Sequence, residues 1–316
     1  MTNRRDFLKA AAFSFAATRL SAGSKELRGI FPIMQTPYTD SNKLDTEVLA
    51  KEVKFLDKCG AHGVVWPQLA SEWSELAPDE RIAGAEAIMS AAKGARCAVV
   101  LGVQGPDLEG ARRYARMAEK LGPDAIIALP PRDSSNLDRV AEYYRAIAKE
   151  CAAPLVVQTI GDMSVEFIVR MSKDIPSLRF VKDEAGHTLS RISEYRRVAP
   201  NLVVFTGAHG RTMIDELERG SSGTMPAACF ADLYVQLWNY WQAGKREKAM
   251  EDLSRISLLV NQFSAYGMPS MKYILHLRGV FPNWRCRGKA DDAHFDADAQ
   301  KSIRATYEFA HKLLKS

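Results

Sequence analysis

Cysteine is sparse: five residues in 316, widely scattered, with no CxxC pair and no His/Cys cluster. That excludes a tetrahedral zinc site and a disulfide framework. Cys59, Cys97, Cys151, Cys229 and Cys286 read instead as small apolar residues. Long apolar runs are also missing. None reaches the ~18 residues a membrane-spanning helix needs, so no membrane partner is expected. No dense Lys/Arg stripe is interleaved with aromatics, which argues against nucleic acid. There is no Gly-rich dinucleotide fingerprint after the first strand-like run, no repeat beyond a strand–helix period and no low-complexity tract. No metal or cofactor is expected.

What is present is ordinary globular material, 47% hydrophobic and 26% charged. The length suits one barrel-sized domain. Most of the formal charge of +5 sits in the first 22 residues, where Arg4, Arg5, Lys9 and Arg19 face only Asp6. This segment has a basic start, an apolar middle over 10–17 and a small-residue exit at Ser21-Ala22-Gly23, the parts of a secretory signal. Arg4-Arg5 followed by Phe7-Leu8-Lys9 resembles the bacterial twin-arginine signal. Residues 1–23 are therefore read as an export signal with a periplasmic destination. The alternative is a frayed terminal helix on a cytoplasmic enzyme.

Eight short Val/Ile/Leu-rich runs follow, beginning near Gly29, Gly63, Cys97, Ala125, Leu155, Leu178, Leu202 and Ser222. Segments with helical spacing lie between them, among them 46–59, 110–121, 137–151 and 165–172. Continuous apolar strands alternating with amphipathic helices signal a parallel sheet buried on both faces. Eight such units predict a (β/α)8 TIM barrel, an α/β fold, over 27–231. From 232 to 316 the pattern turns to helices, over 250–263 and 295–314 among others, with an irregular connection at 279–292.

In such barrels chemistry gathers at the C-terminal ends of the strands. Those ends carry Gln35-Thr36-Pro37-Tyr38, the loop 67–72, Arg132, Gln158-Thr159, Lys182-Asp183-Glu184, Gly207-Ala208-His209 and Thr224-Met225. Lys182 follows Phe180-Val181 at a strand terminus, which aims its side chain at the barrel mouth. Lysine in water is almost wholly protonated at neutral pH. Partial burial disfavours the cation, and the amine so produced can attack a ketone and form an imine. The competing role is a structural ion pair with Glu184 or Glu72.

The chain from about Leu27 to Arg287 resembles the dihydrodipicolinate synthase / N-acetylneuraminate lyase family. The resemblance rests on Thr36-Pro37-Tyr38 with Asp40 and Leu44-Asp45, and on Gln68-Leu69-Ala70-Ser71-Glu72 with Leu76 and Glu80-Arg81. It continues in Phe180-Val181-Lys182, in Gly207, and in Arg219-Gly220-Ser221-Ser222-Gly223. It implies a barrel with C-terminal helices, Lys182 as the Schiff-base residue, a 2-keto acid such as pyruvate as small-molecule partner, and a homo-oligomer, tetramer or dimer. Together with the strand-end reading, it leaves Lys182 and Gln158 as the catalytic candidates and Thr36, Leu69, Ala70, Ser71, Glu72, Arg132, Gly207, His209 and Thr224 as substrate-facing.

Departures from that pattern bear on the chemistry. The family's proton-relay Tyr is replaced by Gln158, an amide that orients groups but exchanges no proton near neutral pH. The two Thr hydroxyls of the family's GTTGE segment fall at Leu69 and Ala70, which leaves Ser71 the only hydroxyl there. The Arg that meets the second substrate's carboxylate falls near Met163, and the aromatic after the fourth strand falls at Arg132. Lysine biosynthesis is therefore not expected. Glu72, Tyr38, Glu184, His187 and His209 are the candidates to rebuild the relay, with Glu72 leaning to an ion pair. Three activities stay open: a class I lyase or aldolase, a catalytically silent binding protein for keto or sugar acids, and a Schiff-base sugar-acid dehydratase.

Overall fold

A computed structural model describes residues 25–288 and 294–312. The export-signal reading of 1–23 lies outside the described residues. Eight parallel strands alternate with helices along the chain: β1 (Gly29–Ile30), β2 (Gly63–Trp66), β3 (Ala98–Gly102), β4 (Ala125–Ala128), β5 (Leu155–Gln158), β6 (Leu178–Asp183), β7 (Val203–Thr206) and β8 (Gly223–Thr224). The helices are α1 (Thr46–Lys58), α2 (Pro78–Ala91), α3 (Leu108–Leu121), α4 (Leu137–Glu150), α5 (Val165–Asp174), α6 (Thr188–Val198), α7 (Met213–Arg219) and α8 (Ala231–Gln242), then α9 (Arg246–Leu277) and α10 (Ala297–His311).

The strand order runs β1-β8-β7-β6-β5-β4-β3-β2. The remaining seam closes through 30–34. His62 N–H donates to Ile30 O at 2.9 Å, and Met34 N–H to Val65 O at 3.0 Å. Ile33 bridges both Val65 and Ala227. The eightfold expectation holds, with a shorter first strand than the run at Gly29 suggests. Pro32 has no N–H to donate, so regular pairing stops at Ile30. At the β1–β8 contact a Cβ on Gly223 would stand 1.9 Å from Gly29 O, so only glycine fits that approach.

Alternation along each strand sorts side chains into two cores. Phe31, Val65, Val100, Ile127, Val156, Phe180 and Phe205 fill the barrel interior. Val64, Val99, Ile126, Val157 and Val181 face outward under α1 to α6. Helix starts are fixed by side-chain caps: Asp45 accepts from Val48 N–H, Asp107 from Gly110 N–H and Ser164 from Phe167 N–H.

The C-terminal helices differ from the sequence reading in two respects. α8 packs against β1 and completes the ring of barrel helices, so the extension begins with α9 rather than at 232. The helix expected over 250–263 continues to Leu277, broken at Gly267 (φ 64°). Pro269 sits in the first turn after that break, where its missing N–H costs nothing.

Buried charge clamps the extension to the barrel. Lys272 of α9 is fully buried and pairs with Glu72. Its ammonium also donates to Arg285 O at 2.6 Å and lies 4.4 Å from the Tyr38 ring centre. Arg287 stacks 4.1 Å over the same ring and binds both oxygens of Glu80 at 2.7 Å. That contact holds the Glu80 carboxyl down at about 2. Removing one member of a buried pair strands the other's charge. Lys272→Met is expected to destabilise the protein by roughly 3–5 kcal/mol, and Lys272→Met/Glu72→Gln by less. Urea unfolding of these variants and of Glu72→Gln alone checks this; a loss in the double variant equal to the sum of the two single losses would show that the pair is not coupled.

Candidate active site

β6 carries the central residue. Phe180 faces the barrel interior, Val181 faces outward, and Lys182 faces inward again, one layer above the aromatic floor of Phe31, Phe180 and Phe205. The Lys182 side chain is 4% exposed. Across the sheet its Cα partners are Gln158 on β5 and Phe205 on β7.

Its charge is met by Glu184. Lys182 Nζ lies 2.8 Å from Glu184 Oε2. The Gln158 side-chain amide donates to the same oxygen, and Ala208 N–H donates to Oε1 at 2.9 Å. Burial pushes the Glu184 carboxyl upward. Lys182 beside it and the hydrogen bonds from Ala208 and Gln158 outweigh that and hold it below the usual carboxylate range. Gly207 makes room for this carboxylate, since a Cβ there would stand 1.8 Å from Oε1. The loop then turns through three consecutive residues with positive φ: Ala208 (48°), His209 (55°) and Gly210 (61°). Two of the three carry a Cβ, a conformation that surrounding contacts must enforce. Tyr234 supplies one such contact by donating its hydroxyl to His209 O.

Lys182, Glu184 and His209 line one cavity of about 290 Å³ at the C-terminal mouth of the barrel, with Leu69, Ala70 and Ala208. His209 packs edge-on to Phe263 of α9, ring centres 5.4 Å apart. Burial, with Lys182 adding to it, lowers its imidazole to about 4, so the ring is neutral at neutral pH. Gln158 is buried behind Glu184 and reaches the cavity through that carboxylate.

The other residues singled out from the sequence lie elsewhere. Thr36 donates its hydroxyl to Ser71 O and accepts from the Trp66 indole at 3.1 Å. Ser71 donates to Met34 O at 2.6 Å. Both hydroxyls are spent on holding the turn that carries Leu69 and Ala70. Strand parity points Thr224 outward, its hydroxyl on Thr206 O, and brings Met225 into the cavity instead. Glu72 pairs with Lys272, not with Lys182 or an arginine side chain. Tyr38 is buried beneath Lys272 and Arg287. Arg132 is exposed and outside the cavity lining. His187, exposed, caps α6. Asp183 is instead held by Arg191 at 2.8 Å and by the Thr159 hydroxyl.

Three methionines complete the walls: Met225 after β8, and Met268 and Met271 from α9. Sequence reasoning did not single them out. A lone Lys272 within the apolar stretch 271–275 was the available sign that α9 turns inward.

The dihydrodipicolinate synthetase family model matches residues 26–303. The chain belongs to that family. Relatives include L-2-keto-3-deoxyarabonate dehydratase of Azospirillum brasilense, 23% identical, covering 89% of this chain and 94% of that protein. A probable 2-dehydro-3-deoxy-D-pentonate aldolase of Escherichia coli is 26% identical over 70% of this chain and 76% of its own. Among solved structures, dihydrodipicolinate synthase from Rhodopseudomonas palustris superposes with a TM-score of 0.82 at 24% identity, covering 90% of this chain and 98% of that one. Ruminococcus gnavus sialic acid aldolase gives 0.84 at 20% identity, covering 91% and 99%. The structural matches share the fold. With the family's dehydratases and aldolases as relatives, the protein is an enzyme of the lyase type.

His209 gives this family member a defined pH signature. Its folded value of about 4 lies below the ~6.5 of an exposed histidine, so the unfolded chain takes up a proton first. Its contribution to stability is complete above pH ~6.5 and is lost as pH falls toward 4, by at most about 1.4 kcal/mol per pH unit. His209→Asn should remove that slope. Urea midpoints of both proteins at pH 7.5 and 5 measure it, and identical acid losses would contradict a buried neutral ring.

Proposed function

We propose that this enzyme is a Schiff-base-forming lyase for a 2-keto acid, with Lys182 as nucleophile and Glu184 as proton carrier in place of a tyrosine. The observation that carries this reading is the 2.8 Å contact between an interior lysine and a carboxylate that both face one cavity.

A proton passes from the Lys182 ammonium to Glu184 Oε2, and the neutral amine attacks the ketone carbon of the substrate. The C–N bond forms as the carbonyl electron pair moves to oxygen, and the extra proton on nitrogen then passes to that oxygen to give a carbinolamine hydroxyl. Glu184 returns a proton to the departing hydroxyl, water leaves, and a protonated imine remains. The imine withdraws electrons from the adjacent carbon. From there two outcomes are open: cleavage of the next carbon–carbon bond, or loss of a hydroxyl after removal of a proton. The names of the relatives support each outcome once. Neutral His209, on the same cavity, is the group available to take a proton from a hydroxyl further along the chain. Gln158 keeps Glu184 aimed and exchanges no proton itself.

Export to the periplasm, supported by Arg4-Arg5 and the segment after it, and a homo-oligomeric state belong to the same proposal.

Borohydride reduction in the presence of pyruvate is expected to attach the keto acid to Lys182 as a secondary amine, located by peptide mass spectrometry. Lys182→Ala, checked for folding by thermal unfolding, should show no label. Glu184→Gln should slow labelling by about 10²-fold or more, and Gly207→Ala, which evicts the carboxylate, should act in the same direction. A wild-type protein that no 2-keto acid labels would leave the silent binding protein as the surviving reading.

A further inference from the structure

The walls of the cavity carry information about the part of the substrate that does not react. Its polar side chains are Lys182, Glu184 and His209, and the first two are engaged with each other. Elsewhere the lining side chains are apolar: Ile33 and Leu69 on one side, Met225 and Pro226 just after β8, Met268 and Met271 from α9. Among the described residues that line it, none brings a side-chain hydroxyl, carboxamide or guanidinium to the space. The candidates that could have supplied one, Thr36, Ser71 and Thr224, spend their hydroxyls on backbone carbonyls outside it.

A polyhydroxylated tail entering such a space would give up water at each hydroxyl it buries against these walls. One imidazole could satisfy at most one or two of them. Each hydroxyl left unpaired costs roughly tenfold or more in affinity. An apolar tail meets the opposite situation, since every group it buries leaves water for carbon or sulfur. Methionine walls reinforce this. The side chain is unbranched, flexible and polarisable, so it fits irregular apolar shapes and makes favourable contacts with aromatic edges. The volume of about 290 Å³ sits at the small end of ligand cavities, which limits the tail to a short chain or a single ring.

We infer that the substrate is a 2-keto acid whose chain beyond the reacting carbons is apolar, a short aliphatic or aryl group rather than a sugar tail. This deepens the imine reading above and rests on it. It also separates this chain from the relatives named for deoxy sugar acids, with which it shares 23% and 26% of its residues over the matched regions.

The test compares acids of matched size on the full protein. Cyanoborohydride trapping at Lys182 is titrated with 4-methyl-2-oxopentanoate, 2-oxo-4-phenylbutanoate, pyruvate and 2-keto-3-deoxypentonate. The branched or the phenyl acid is expected to half-saturate labelling at a concentration at least tenfold below the deoxy sugar acid. Met268→Gln/Met271→Gln should shrink that ratio about tenfold, whereas a merely structural loss would weaken both acids alike. The reverse order of acids would overturn the inference while leaving imine chemistry standing. If no acid labels Lys182, the imine reading fails by itself. Calorimetry with the matching 2-hydroxy acids, which cannot condense, then decides the tail. Tighter binding of the apolar member supports the inference, and equal, reversed or absent binding overturns it.

Discussion

An ammonium group inside a barrel of phenylalanine and valine must be answered by a negative charge, and much of this site is arranged around that requirement. Lys182 is nearly out of contact with water, above an apolar floor. An unpaired charge there would cost far more than a domain can spare. Glu184 answers it, and Glu184 in turn dictates its surroundings. Its second oxygen draws in Ala208 N–H, its bulk requires glycine at 207, and its orientation is fixed by the Gln158 amide. The left-handed turn through Ala208 and His209 follows the residue whose N–H is committed to that carboxylate. The same pair that stabilises the buried lysine also holds a proton acceptor beside it. In the proposed mechanism, ground-state pairing and proton transfer use one contact.

The barrel was legible because parallel strands buried on both faces leave a strong trace. Runs such as Ala98–Gly102 and Leu155–Gln158 have no polar face, and the helices between them do. The trace weakens where burial no longer depends on pairing. Residues 31–34 are as buried as any strand, yet Pro32 interrupts their ladder, so the apolar run 29–34 becomes a two-residue strand and a bridge. α8 was read as the start of an extension because the pattern turns to helices from 232; its apolar face is broad, with Leu233, Tyr234, Leu237, Trp238 and Trp241 all buried. That breadth has a physical cause: it packs on β1 and on α9 at once.

Part of the site was legible from strand parity alone. Counting alternate residues along β6 places Lys182 inside and Asp183 outside, as the structure has them. Parity also explains why Thr224 belongs to the wall behind the cavity and Met225 to the cavity. What could not be read was the destination of each polar group. A sequence shows that Thr36 and Ser71 can donate, not that the nearest acceptors are the carbonyls of Ser71 and Met34. Nor does it show which of several acids meets which base. Glu72 and Glu184 were both available to Lys182, and the choice was made by Lys272, 90 residues downstream, which claims Glu72.

That second pair has a consequence for the first. Glu72 follows directly on the turn that brings Leu69 and Ala70 to the cavity, and it adopts a left-handed backbone (φ 54°) to do so. Lys272 follows directly on Met271, which faces the cavity from the other side. The ion pair therefore joins the residue after one wall to the residue after the opposite wall. Arg287 N–H adds a bond to Glu72 at 2.6 Å and brings the chain beyond α9 into the same junction. Buried pairs of this kind contribute little net stability compared with apolar packing, but they tolerate few alternative arrangements. Here the arrangement they fix is the distance between the barrel loop and the methionine face of α9. The extension is thereby a structural part of the cavity, held to the barrel loop by charges that do not line it.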